Sequence, residues 1–215
     1  MKIFLDTAET DVIRKNFVTG LVDGLTTNPT LIMKSGRNPE EVYEEIKEIG
    51  VPDISMEVVG TGEEMVAEGR RLKKKFGDCC TIKVPCTRGG LAACRVLAEE
   101  GIRVNVTLIF SQVQAILASK AGAAYVSPFV GRVDDNSFGG ICLVKDIVNV
   151  FKEHYTTTQV LAASVRNVRD VGRLFEHGAE IVTMPPGVFD KMYNHVLTDA
   201  GLEQFDKDWS EVQGR

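Results

Sequence analysis

Lys83 stands in CCTIKVPCT (79–87), a run otherwise made of small or apolar residues, with Ile82 and Val84 on either side and Pro85 two residues on. With an ordinary pKa near 10.4, only about one lysine amine in a few thousand is uncharged at neutral pH. Burial in an apolar strand penalises the ammonium, lowers that pKa, and gives an amine suited to forming a Schiff base with a carbonyl. Asp6 and Glu57 end two other strand-like runs. Carboxyl groups in unlike surroundings can divide the work of acid and base. A blander account fits the same residues: Lys83 is neutralised by Glu57 or Asp6 as a structural ion pair, or Asp6 caps a helix. The residue types alone leave both open.

Other polar groups fall at equivalent places. Thr26, Thr27 and Asn28 close the second strand-like run, Asn105 and Thr107 lie on the fifth, Ser127 and Phe129 on the sixth, and Ser164 and Arg166 end the seventh. Period-two alternation puts Asn105 and Thr107 on one face, and Ser127 with Phe129 on another. Arg132 and Arg166 follow the sixth and seventh runs and offer the planar, bidentate donors that suit a phosphate, although either one could be an exposed salt bridge. Asn28-Pro29 could equally be only a turn.

These residues need elements to hold them. Strand patterns at 2–6, 24–27, 53–59, 81–85, 103–109, 123–129, 159–164 and 180–185 are each followed by a helical pattern. The stretch NPTLIMKSGRNP and the segment after AAYVSPF (123–129) read as connections. Thr61 and Glu64 form a capping box at one helix start. Strict alternation implies parallel strands joined by helical crossovers, and eight units fit a closed (β/α)8 TIM barrel of the α/β class. The G-x-G-x-x-G of a dinucleotide fold is missing after the first strand, where DTAETD stands. No composition shift divides residues 1–215, so one domain is expected. Residues 198–215 read as an extra helical tail with Leu202, Phe205 and Trp209 on one stripe. That stripe could close over its own barrel or pack on a neighbouring subunit.

Of the 215 residues, 44% are hydrophobic and 26% charged, the profile of a soluble globular protein. The net charge of −5 supplies no basic field for nucleic acid or an anionic membrane. No run has the length of a membrane span, and the N-terminus lacks a signal peptide's apolar stretch, so a cytoplasmic location is expected. Five cysteines at irregular spacing read as small core residues rather than disulfides or metal ligands. A thiol redox role for Cys79 and Cys80 would need a depressed thiol pKa.

LDTAE, GLTTNPT (24–30), IKVPCT (82–87), NVTLIFS (105–111), SPFVGR (127–132) and LAASVRN (161–167) together resemble the transaldolases. The compact length and the ending FDKDW resemble the short subfamily that includes the fructose-6-phosphate aldolases. The resemblance implies Lys83 as the Schiff-base lysine. Glu57 and Thr107 would handle protons through a water, and Asp6 would act as the base in carbon–carbon cleavage. It implies that Thr27, Asn28, Asn105, Ser127 and Phe129 surround the three-carbon unit, and that Arg132, Ser164 and Arg166 hold a sugar phosphate. No metal or other cofactor is implied, since the iminium is itself the electron sink. Glu57 and Phe129 match the transaldolases, where the aldolases carry Gln and Tyr; a fructose-6-phosphate aldolase is the alternative. Members of the short subfamily form pentamers or decamers by exchanging the C-terminal helix, which implies a homo-oligomer.

Overall fold

The computed structural model describes residues 1–214. Eight strands, β1 (Lys2–Asp6), β2 (Gly24–Thr26), β3 (Ile54–Glu57), β4 (Cys80–Pro85), β5 (Val104–Ile109), β6 (Tyr125–Pro128), β7 (Gln159–Ala162) and β8 (Ile181–Met184), pair in sequence order. All pairs are parallel, and β8 pairs with β1 to close the barrel. The helices are α1 (Thr10–Phe17), α2 (Pro29–Ser35), α3 (Pro39–Ile49), α4 (Gly62–Phe76), α5 (Arg88–Glu99) and α6 (Gln112–Lys120). They continue with α7 (Val130–Asp135), α8 (Gly140–Glu153), α9 (Val168–Glu176), α10 (Pro186–Lys191) and α11 (Val196–Gln213).

Register follows from which residues must be hidden. Ile54, Met56, Ile82, Val84, Val104 and Val106 join the large apolar cluster shared with the surrounding helices. The alternate residues then face the barrel interior. There Glu57 lies beside Lys83, and Lys83 beside Asn105. A smaller cluster of Phe4, Tyr125, Leu161, Ala163 and Ile181 fills the interior. Its lower part carries a buried acid: Asp53 accepts from Thr81 Oγ1 at 2.7 Å and from Tyr125 OH at 2.6 Å. The Phe4 ring meets Tyr125 edge-on, centroids 6.5 Å apart. Gly24 makes room for this floor, since a Cβ there would lie 2.5 Å from the Phe4 ring and 2.8 Å from the Asp53 carbonyl oxygen.

Side-chain caps start the helices just beyond the strand ends. Asn28, Asn38, Thr61, Thr87, Ser111 and Asn167 accept backbone N–H bonds for α2, α3, α4, α5, α6 and α9, each typically worth about 1 kcal/mol. The Thr61–Glu64 capping box forms as expected. Two helices occupy stretches that read as connections. In α2, Asn28 is the cap and Pro29 the first helical residue, where a missing N–H costs nothing. In α7 no side chain caps the start. Val130 and Gly131 instead donate their N–H groups to Ala163 and Ser164 at 2.9 and 3.0 Å. That short helix is set by a tertiary contact, which local pattern does not encode.

β2, β3, β6, β7 and β8 end one or two residues earlier than their apolar runs. The tail helix begins at Val196, and none of its residues is buried. Leu202, Phe205 and Trp209 are 56%, 70% and 62% exposed. The stripe therefore does not close over its own barrel. No helix among the described residues is long and apolar enough to cross a membrane.

Candidate active site

The C-terminal ends of the strands enclose a cleft of about 470 Å3, counting its open mouth. Asp6, Thr26, Asn28, Lys83, Thr107, Ser127, Phe129, Arg132, Ala163, Ser164 and Thr183 line it. Lys83 comes from the middle of β4, and its side chain is only 6% exposed. Its Nζ lies 2.9 Å from Glu57 Oε2 and donates to the Thr27 carbonyl at 2.8 Å. Two anchors therefore aim the amine, one a carboxylate that can exchange a proton with it. Glu57 is also reached from outside the barrel, through a groove shared with Tyr43, Val58 and Val59.

Asp6 does not cap α1, whose N-cap is Glu9. It points into the cleft, where Oδ1 accepts from Thr26 Oγ1 at 2.7 Å. Burial raises its pKa above the ordinary carboxylate value; the Thr26 bond and the Lys83 charge oppose that shift without cancelling it, and Glu57 adds to it. A carboxylate held in this way is a stronger base than a solvated one.

β5 is irregular beside the cleft. Its register with β6 shifts between Val106 and Ile109, and Leu108 has φ 58°. A left-handed leucine is costly, so such a residue usually marks a bulge that the surrounding fold enforces. Thr107, the residue before it, reaches the cleft with its Oγ1 buried and unpartnered by any protein group. Beneath it, Asn105 donates to Ser55 Oγ at 3.1 Å and accepts from Ser127 Oγ at 2.7 Å.

Three expected site residues are placed differently. The Thr27 hydroxyl faces away from the cleft, against Tyr43 OH at 3.0 Å and the Ser55 carbonyl at 3.1 Å. In the three-residue β2 it is Thr26 that faces inward, and Thr27 serves the site through its backbone. The Asn105 amide lies below the cleft wall, already engaged. Arg166 turns its guanidinium onto Asp135, Nη2 to Oδ2 at 2.6 Å, instead of into the cleft. Arg132 does line the cleft, its guanidinium 5.0 Å from the Phe129 ring centroid. Thr26, Ser55 and Thr183 complete the arrangement; their hydroxyls carry no sequence signal beyond strand parity.

Cys142 is exposed rather than in the core as expected, and the other four thiols are not built for redox work. Burial pushes Cys80 and Cys94 up to about 12 and raises Cys79 and Cys86 as well, the opposite of an activated thiolate. Among the described residues, no three His, Cys, Asp or Glu side chains converge as metal ligands.

The sequence matches the family model for Transaldolase/Fructose-6-phosphate aldolase over residues 3–215. The chain belongs to this family. It is 51% identical over 215 residues to a probable transaldolase of Nitrosopumilus maritimus, covering 99% of this chain and 96% of that one. A probable transaldolase of Caulobacter vibrioides is 51% identical over 213 residues, with 99% and 98% covered. One from Paracoccus denitrificans is 49% identical over the same shares. Family membership and geometry meet at one point: the lysine expected to be reactive is enclosed, oriented and open to a polar cleft.

Proposed function

We propose that this chain is a transaldolase, moving a dihydroxyacetone unit from sedoheptulose 7-phosphate or fructose 6-phosphate to an aldose phosphate acceptor. The observation that carries the reading is Lys83 Nζ at the foot of the cleft, 2.9 Å from Glu57 Oε2, with the Asp6 carboxyl lining the same cavity. The amine, having passed a proton to Glu57, adds to the C2 carbonyl carbon of the ketose. The carbinolamine then loses water, with Glu57 and Thr107 moving the protons through a bound water, and an iminium forms. Thr107 Oγ1, buried with no protein partner, has a bond left to offer that water.

Asp6 takes the proton of the C4 hydroxyl. The C3–C4 bond breaks, its electron pair moves toward the iminium, and the departing aldose leaves an enamine on Lys83. The steps then reverse on a new aldehyde. The enamine carbon bonds to its carbonyl carbon, Asp6 returns the proton to the new hydroxyl, and water releases the ketose product. Asn28, Asn105 and Ser127 hold the hydroxyls of the three-carbon unit, which requires Asn105 to exchange a bond to Ser55 or Ser127 for one to the substrate. Arg132, Ser164 and Arg166 receive the phosphate, which requires Arg166 to exchange Asp135 for it.

Two residues favour transfer over release. Glu57 and Phe129 stand where the aldolases of the family carry Gln and Tyr, and a phenyl ring cannot help position a water that frees the three-carbon unit. The reaction fits pentose phosphate recycling in the cytoplasm. The exposed Leu202–Phe205–Trp209 stripe supports a homo-oligomer, a pentamer or a decamer, packed through α11.

The test is acceptor dependence. Fructose 6-phosphate alone should give almost no free dihydroxyacetone, and adding erythrose 4-phosphate should give rapid sedoheptulose 7-phosphate formation. Equal turnover without acceptor, with dihydroxyacetone accumulating, would make the chain an aldolase.

A further inference from the structure

We infer that Thr183 is a positioning residue for Asp6: its hydroxyl donates to Thr26 and so strengthens the Thr26 bond that holds Asp6 Oδ1 and leaves Oδ2 facing the substrate. The inference rests on the reading of Asp6 as the base. Thr26 Oγ1 lies 2.7 Å from Asp6 Oδ1 and 2.7 Å from Thr183 Oγ1. Each hydroxyl has one proton to give, and a carboxylate can only accept. Thr26 therefore donates to Asp6, and Thr183 must donate to Thr26. The chain of donors runs one way, from β8 through β2 to β1.

The placement makes the order compulsory. Thr26 and Thr183 line the cleft but are only 3% and 2% exposed, so each hydroxyl meets its protein neighbour before solvent. Strand register holds the three together: Thr26 lies beside Asp6, and Thr183 beside Phe4, two residues before Asp6. A hydroxyl that accepts a bond becomes a better donor, so Thr183 strengthens the Thr26 bond to the carboxylate. That bond engages Oδ1 and leaves Oδ2 to take the substrate proton. The other charged groups that face Asp6 are Lys83 on β4 and Glu57 on β3, and neither is altered by changing Thr183. β8, which supplies no group to the proposed chemistry, thereby acquires a part in it.

The experiment compares Thr183→Val, Thr183→Ala and Thr183→Ser by kcat/KM for fructose 6-phosphate across pH, with melting temperature as a fold check. A hydrogen bond to the charged form lowers a carboxyl pKa, so weakening it raises the pKa. Because the base must be deprotonated, the acid limb of the profile should move to higher pH in Val and Ala. On that limb kcat/KM should fall roughly three- to tenfold. Thr183→Ser, which keeps the donor, should restore the wild-type limb. Thr183→Ala leaves more room than it takes, so it remains informative if the Val variant does not fold. A uniform loss at all pH values, with the limb in place, would overturn the inference. Asp6→Asn separates the two claims: if it keeps full turnover, the reading of Asp6 as base fails, whatever Thr183 does.

Discussion

Asp53, at the N-terminal end of the barrel, and Glu57, four residues on at the C-terminal end of β3, are both enclosed carboxylates, but their surroundings differ in kind. Asp53 accepts from two hydroxyls, at 2.7 and 2.6 Å, and has Arg103 Nη1 3.8 Å away. The Tyr125 phenol that serves it is pushed well above its ordinary pKa by burial, with the Asp53 charge adding to the effect, so it stays a donor. Phe4, Leu161 and Ile181 close the floor around them. Glu57 has one cation, Lys83, which lines the cleft, and itself borders the outer groove. Near it, Asp6 is held through a single hydroxyl, and Thr107 Oγ1 has no protein partner. Buried charge at the floor is saturated by the fold itself. At the mouth it is left with bonding capacity for something to arrive.

The comparison can be broken from either end. Lys83→Met should lower transfer activity by at least about a thousandfold, since no other amine replaces the nucleophile. Its effect on stability should stay below about 2 kcal/mol, because Glu57, 16% exposed, can take solvent from the outer groove. Asp53→Asn should do the reverse. Unfolding in denaturant should show a loss of about 2–4 kcal/mol, because both partner hydroxyls must rearrange out of reach of water. Activity per folded molecule should stay within about twofold.

Asp6→Asn gives a smaller change, with an informative sign. The folded-state pKa of Asp6 is raised by burial, so its ionisation opposes folding above the unfolded carboxyl's pKa near 3.9. Removing the charge should therefore raise the melting temperature at pH 7, and the gain should vanish as pH falls below about 4. The same raised pKa places the wild-type acid limb of kcat/KM above the range of a solvated aspartate. A destabilised Asp6→Asn variant at pH 7, with that limb at the usual aspartate value, would contradict both halves.

The eight strands were legible because a parallel barrel hides both faces of each strand, leaving short apolar runs between amphipathic ones. Lys83 and Glu57 stood out for the same reason, as charges where the pattern calls for burial. Parity failed where a strand was short. GLTT offers no fixed end from which to count, so the inward hydroxyl of Thr26 and the outward one of Thr27 were not distinguished. Contacts between distant residues were invisible to pattern: Asp53 with Tyr125, Arg166 with Asp135, Thr26 with Thr183. Of the two helices in stretches that read as connections, α2 had its signal in Asn28-Pro29, which also reads as a turn. α7 had none, because its start depends on the Ala163 and Ser164 carbonyls just after β7.

The central claim is that Lys83 becomes covalently joined to the substrate. Borohydride reduction of the protein incubated with fructose 6-phosphate, followed by peptide mass mapping, tests it directly. The account predicts a reduced three-carbon adduct on the peptide that contains Lys83, and none in Lys83→Met. Intact protein recovered with every lysine unmodified would contradict it, and would leave Lys83 and Glu57 as a structural ion pair like those the floor of the barrel is built to hold.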